Sequence, residues 1–66
     1  MEIIVNGKPH LLPSGASIAE LLEQLDLTGR RIALEVNETI VPRSRYGEHQ
    51  LAAGDRVEIV HAIGGG

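Results

Sequence analysis

Sixty-six residues with a net charge of −3, no cysteine, no Phe or Trp and one Tyr describe a single small domain without disulfides or a thiolate nucleophile. The negative balance and the lone ring of Tyr46 argue against nucleic acid, which attracts cations and stacking surfaces. No apolar run approaches the ~20 residues of a membrane span, and Met1-Glu2-Ile3-Ile4-Val5 lacks the basic start of a signal peptide, so a cytoplasmic protein away from membranes is expected.

Met1 to Val5 reads as a strand, closed by Asn6-Gly7, a pair suited to the positive φ angles of a type I′ turn. Lys8 to Leu12 is the return strand, and Pro9, which has no N–H to donate, places it at a sheet edge. Its register stays open. A two-residue loop pairs Ile3 with His10 and turns His10 inward, whereas a longer loop puts Leu11 there. Ser17-Ile18-Ala19-Glu20 has the spacing of a capping box. Ile18, Leu21, Leu22 and Leu25 follow at i, i+3, i+4 and i+7, one face of a helix that ends near Leu25–Leu27, before Thr28-Gly29. Ile32 to Val36 alternates with the period of a strand, Asn37-Glu38 turns the chain, and Thr39-Ile40-Val41 is a short strand stopped by Pro42. Arg43 to Gln50 is polar and irregular with room for one helical turn. Ala53-Gly54-Asp55 leads into a last strand from Arg56 to about His61.

This order predicts an α+β chain in which one main helix packs on one face of a mixed four- to five-stranded sheet. The last strand lies beside the first, and the strands joined through the helix run parallel. That is the β-grasp, or ubiquitin-like, arrangement. It gives a domain over residues 1–63 and a flexible glycine tail over 64–66. The expected core is Ile3, Val5, Ile18, Leu21, Leu22, Leu25, Ile32, Leu34, Val36, Val57 and Ile59.

Chemistry is sparse inside the domain. His10, His49 and His61 are far apart in sequence and have no cysteine beside them, so no metal site is expected. Ser14, Ser17 and Ser44 lack the setting of a nucleophile, and Ser17 is accounted for as a helix cap. Glu20, Glu23 and Asp26 read as a solvated helix face. Gly15 alone cannot form a phosphate-cradling loop, so neither a catalytic residue nor a cofactor is expected. Arg30-Arg31 and Arg43-Ser44-Arg45 read as surface solubilisers or docking contacts.

Gly64-Gly65-Gly66 is different. Fraying is the plain reading of a terminal glycine run. The chemical reading is that a backbone without Cβ can thread a narrow channel in another protein. The terminal carbonyl carbon is unhindered, and three residues reach at most ~10 Å. Ordering them costs about 3–6 kcal/mol in all, so the folded body must supply a docking surface. Ile4, Ala33 and Val60, small or apolar at outward positions of the sheet, are the expected surface, with His61 and Ile63 beside the tail. A free carboxylate is a poor acyl donor. Activation as a mixed anhydride with AMP requires a separate enzyme, because this chain has no ATP site.

Over essentially its whole length the sequence resembles the ThiS sulfur carriers of thiamin biosynthesis, within the wider ThiS/MoaD group of ubiquitin-like proteins. The resemblance rests on Ile3-Ile4-Val5-Asn6-Gly7, Leu21-Leu22-Glu23-Gln24-Leu25, Asn37 through Arg43, Gly54-Asp55 and the Gly65-Gly66 terminus. The chain departs in having no large aromatic near its end; Tyr46 stands after Pro42-Arg43, where an aromatic is common. The resemblance implies a co-substrate and not an enzyme. An E1-like adenylyltransferase of the ThiF type adenylates Gly66. Sulfur from a cysteine-derived persulfide, brought by a sulfur-transfer enzyme, replaces AMP to give a thiocarboxylate. The carrier then delivers that sulfur to a ThiG-type thiazole synthase. A MoaD-like role in molybdopterin synthesis, a protein modifier joined through Gly66, and an interaction domain with an inert tail are the alternatives.

Overall fold

The computed structural model describes residues 1–61. Five strands and one helix follow in the order β1 (Glu2–Val5), β2 (Lys8–Leu11), α1 (Ile18–Gln24), β3 (Ile32–Val36), β4 (Thr39–Ile40) and β5 (Arg56–His61), with a 3-10 turn at Arg43–Arg45. The sheet order is β2-β1-β5-β3-β4. β1 and β5 pair in parallel at the centre and all other neighbours are antiparallel. The two strands joined through α1, β2 and β3, therefore run in the same direction with β1 and β5 between them. This is the mixed β-grasp sheet expected from the sequence.

The first turn settles the register. Asn6 and Gly7 take φ of 48° and 82°, the left-handed pair of a type I′ hairpin. Ile3 consequently faces His10 and Glu2 faces Leu11. His10 lies half-buried on the helix side, where its Nε2 meets Gln24 Oε1 at 3.0 Å. Leu11 is 73% exposed on the other face. Pro9 sits on the edge strand β2, where its missing N–H costs no ladder bond.

α1 begins with the predicted capping box. The Glu20 N–H donates to Ser17 Oγ at 3.2 Å and the Ser17 N–H donates to Glu20 Oε1 at 3.1 Å. The other free N–H groups of the first turn find carbonyls in the polar connection, Ile18 on His49 and Ala19 on Tyr46, both at 3.0 Å. The helix closes with Asp26 at φ 59°. The Leu27 N–H returns to the Leu22 carbonyl at 2.8 Å and the Asp26 N–H to the Glu23 carbonyl at 3.1 Å. This is a Schellman termination, with Asp in the position glycine usually takes. Ser17→Ala is expected to lower unfolding stability by about 1 kcal/mol, read as a shift of the urea midpoint at unchanged slope.

The core unites Ile3, Ile18, Leu21, Leu22, Leu34, Val36, Val57 and Ile59, as expected, with Leu12, Ala16, Val41, Tyr46 and Leu51. Val5, Leu25 and Ile32, expected inside, are only partly buried at the rim of this cluster. The correction has a cause. The connection from Val41 to Leu51 folds over the N-terminal end of α1, tied there by the bonds to His49 and Tyr46 and by the Leu51 N–H on the Ala16 carbonyl at 2.8 Å. The core is thereby filled at that end and left thin at the other, where Leu25 and Val5 stand. Among the described residues no buried side-chain nitrogen or oxygen lacks a hydrogen-bond partner, and no helix is long and apolar enough to cross a membrane.

Candidate functional site

Alternation along β5 sends Val57 and Ile59 into the core and Arg56, Glu58 and Val60 to the opposite face. Antiparallel pairing with β3 sets Ala33 directly across from Val60, and both are exposed, Val60 at 62%. They form one small apolar spot on the open face, near the end of β5, the last described strand. Ile4 is not part of it. The parallel register places Ile4 beside Arg56, four residues back along β5 from Val60, or roughly 13 Å at the usual strand rise. Ile4 lies half-buried next to Pro9, its partner on β2. Between the two apolar spots lie Arg56, Glu58 and Glu35, the two carboxylates opposite one another.

His61 belongs to the other face. It pairs with Ile32 and, with Val5, Asn6, Lys8, Leu25, Leu27 and Ile59, lines a cleft of about 450 Å³. This is where the core is thin, so the half-buried side chains Val5, Leu25 and Leu27 give the cleft an apolar wall with Lys8 and His61 on it. Ile63, Gly64, Gly65 and Gly66 lie outside the described residues.

The parallel ladder next to this region ends in an unusual way. The Ile4 N–H donates to the Asp55 carbonyl and the Asn6 N–H to the Val57 carbonyl, both at 2.9 Å. There β1 turns away. The Asn6 side chain continues in its place: the Ile59 N–H donates to Asn6 Oδ1 at 2.8 Å, and Asn6 Nδ2 donates to the Ile59 carbonyl at 3.2 Å. Sequence reasoning used Asn6 as a turn residue only. Nothing in its spacing reveals the second role, because Ile59 is 53 positions away.

Elsewhere the charges are structural or solvated. Arg43 Nη2 donates to the Arg30 carbonyl at 3.1 Å, which brings the two basic clusters side by side. Arg45 meets Glu48 at 3.5 Å with both side chains mostly exposed, a pair worth little in stability. Among the described residues no three His, Asp or Glu side chains group to hold a metal ion.

A family model described as the ThiS family matches residues 2–66. The chain belongs to the ThiS family. The sulfur carrier protein ThiS of Escherichia coli is 36% identical over 66 residues, covering all of both chains. The crystal structure of a thiamine biosynthesis protein (ThiS) from Geobacter metallireducens superposes with a TM-score of 0.86 at 29% identity, again covering both chains completely. A thiazole synthase of Magnetococcus marinus is 39% identical over 66 residues, all of this chain; the chain spans 20% of that protein's length. Family membership and the close superposition give the ThiS-type β-grasp body described above.

Proposed function

We propose that this chain is a sulfur carrier of thiamin biosynthesis, and that its working group is the carboxylate of Gly66. The observation that carries the reading is full-length similarity to a protein named as a ThiS sulfur carrier, in a domain whose described residues converge on no catalytic constellation. Residues 1–63 serve as the body and 64–66 as the presented tail. The carrier is a co-substrate. A ThiF-type adenylyltransferase forms the acyl-adenylate on Gly66, and a sulfur-transfer enzyme supplies the persulfide sulfur that replaces AMP. The thiocarboxylate then gives its sulfur to a ThiG-type thiazole synthase. That last partnership is supported by the thiazole synthase that holds, within one longer chain, a region similar to all of this one. A cytoplasmic site of action fits the absence of cysteine in the sequence.

The deciding experiment is intact mass after incubation with the adenylating enzyme, ATP and a sulfur source. Replacement of one oxygen by sulfur at the terminus is expected, and an unchanged mass with an active enzyme removes the reading. Rescue of a thiamin auxotroph, and not of a molybdopterin mutant, separates the ThiS role from the MoaD-like one.

The docking surface in this proposal is the apolar spot of Ala33 and Val60, with Ile4 as a second contact and His61 and Ile63 flanking the tail. Val60→Asp is expected to weaken the complex with the adenylating enzyme by about 10- to 100-fold, the scale of losing a buried Val and burying a charge. Folding stability is expected to change by no more than about 0.5 kcal/mol, as for an exposed position. Titration calorimetry against the enzyme, with a parallel urea melt, reads both.

A further inference from the structure

We infer that Asn6 is a positioning residue for the carrier's reactive end: its side chain holds the end of β5, the strand that leads in sequence toward the glycines. The inference rests on the sulfur-carrier reading above and adds to it the part of the body that aims the reactive group. In a regular parallel ladder, after the Asn6 N–H reaches the Val57 carbonyl, the next bonds would join the Ile59 N–H to the backbone carbonyl of residue 6 and the N–H of residue 8 to the Ile59 carbonyl. Here residue 6 is already in the hairpin, at φ 48°, and its backbone is unavailable. The side-chain amide supplies both functions, an acceptor at 2.8 Å and a donor at 3.2 Å. One primary amide thus imitates a peptide unit and lengthens the ladder by a rung beyond the end of β1.

The rung falls where it matters for delivery. Beyond Ile59 only β3 still flanks β5, through Val60 opposite Ala33 and His61 opposite Ile32. Without Asn6 the stretch of β5 held on one edge alone would begin at Ile59 and not after it. The apolar spot of Ala33 and Val60 and the cleft beside His61 lie on opposite faces of this same short segment, so its orientation sets both. A loosened segment must be ordered again when a partner binds. That cost weakens binding of the carrier equally before and at the chemical step, so it appears in KM and not in kcat.

The fold contains its own control. Asn37 has φ 51° in the second hairpin and also accepts from β5, the Arg56 N–H reaching Asn37 Oδ1 at 3.0 Å, while its Nδ2 donates to Asp55 Oδ1 at 3.1 Å. It holds β5 at the end far from the tail. Glycine accepts the positive φ of either turn, so Asn6→Gly and Asn37→Gly each remove a clamp and keep the hairpin.

The test uses the full chain with the adenylating enzyme and reads three quantities: the urea midpoint, amide hydrogen exchange residue by residue, and KM and kcat for the carrier. For Asn6→Gly, exchange at Ile59 is expected to quicken about tenfold relative to Val57, and KM to rise about tenfold with kcat within about twofold. For Asn37→Gly, the same loss of stability is expected with KM and the exchange of Ile59 relative to Val57 unchanged. Asn6→Asp keeps the acceptor for the Ile59 N–H but sets a carboxylate oxygen against the Ile59 carbonyl. It is expected to show the same KM rise, and it stands in if the glycine variant does not fold. Unchanged Ile59 protection relative to Val57 in Asn6→Gly, an unchanged KM in Asn6→Asp, or an equal KM rise in Asn37→Gly, overturns the inference. A wild-type chain that the enzyme fails to adenylate removes the carrier reading, and the role of Asn6 in delivery goes with it, whatever the exchange rates show.

Discussion

Deleting Gly65 and Gly66 is expected to abolish sulfur loading completely while leaving the folded domain as stable as before, within about 0.5 kcal/mol. The asymmetry follows from the proposal that the chemistry is on Gly66. The core is assembled from residues between Ile3 and Ile59, so losing two terminal glycines removes no packed side chain. The shortened chain still ends in a carboxylate, but that group is now on Gly64. Its reach is shorter by about 7 Å of extended chain, and with the proposed docking at Val60 it is expected to fall short of the nucleotide in the adenylating enzyme. The side-chain carboxylates offer no substitute, since glutamates such as Glu35 and Glu58 lie on the sheet face itself. Gly66→Ala keeps the length and adds one methyl beside the reacting carbon. A partial loss is expected there, and complete loss in the deletion. Intact mass after the loading reaction separates the outcomes. A sulfur gain that persists in the deletion variant would place the acceptor elsewhere in the chain. Covalent adducts on lysines of other proteins, lost with the same deletion, would favour the protein-modifier reading.

The sequence made the helix and strand periods plain because each is repeated and local. The capping box needs only Ser17 and Glu20 at the right spacing, and the sheet faces follow from alternation at Ile32, Leu34 and Val36. The β-grasp order then came from chain order and the rule that sequential elements pack together. Rim and core were not distinguishable. Leu25 continues the helix stripe as regularly as Leu21, yet Leu21 is fully buried and Leu25 only partly. The difference is made by the connection from Val41 to Leu51, whose polar sequence gave no sign that Tyr46 and Leu51 fold inward. The site was legible in part for the same reason. Val60 and Ala33 share an outward phase that alternation exposes, but grouping Ile4 with them required the parallel register between β1 and β5, a long-range quantity. The second role of Asn6 was invisible, because a residue that fully explains a turn carries no mark of a partner across the fold.

Leu21→Ala is expected to destabilise the domain by about 3 kcal/mol, within the 2–5 kcal/mol usual for such truncations. Leu21 is fully buried and sits among the largest inaccessible side chains, with Ile3, Ile18, Leu34 and Val57. A domain of this length has roughly 3–10 kcal/mol of stability in all, so the substitution is expected to remove between about a third and all of it. Leu25→Ala, on the same helix face but partly exposed, is expected to cost about 1 kcal/mol, since less apolar area leaves water there. A urea series of both variants checks the ratio, with the midpoint moving and the slope unchanged. Near-equal costs would show that the thin end of the core is packed as tightly as the end covered by Tyr46. The two leucines also separate the ways loading can fail. Leu21→Ala is expected to lose sulfur loading in proportion to the unfolded fraction, and to regain it when a bound partner stabilises the fold by mass action. The tail deletion stays folded and gains no sulfur at any partner concentration. A leucine variant that is folded and still not loaded would mean that the body contributes more to the chemistry than a rigid mount for the tail.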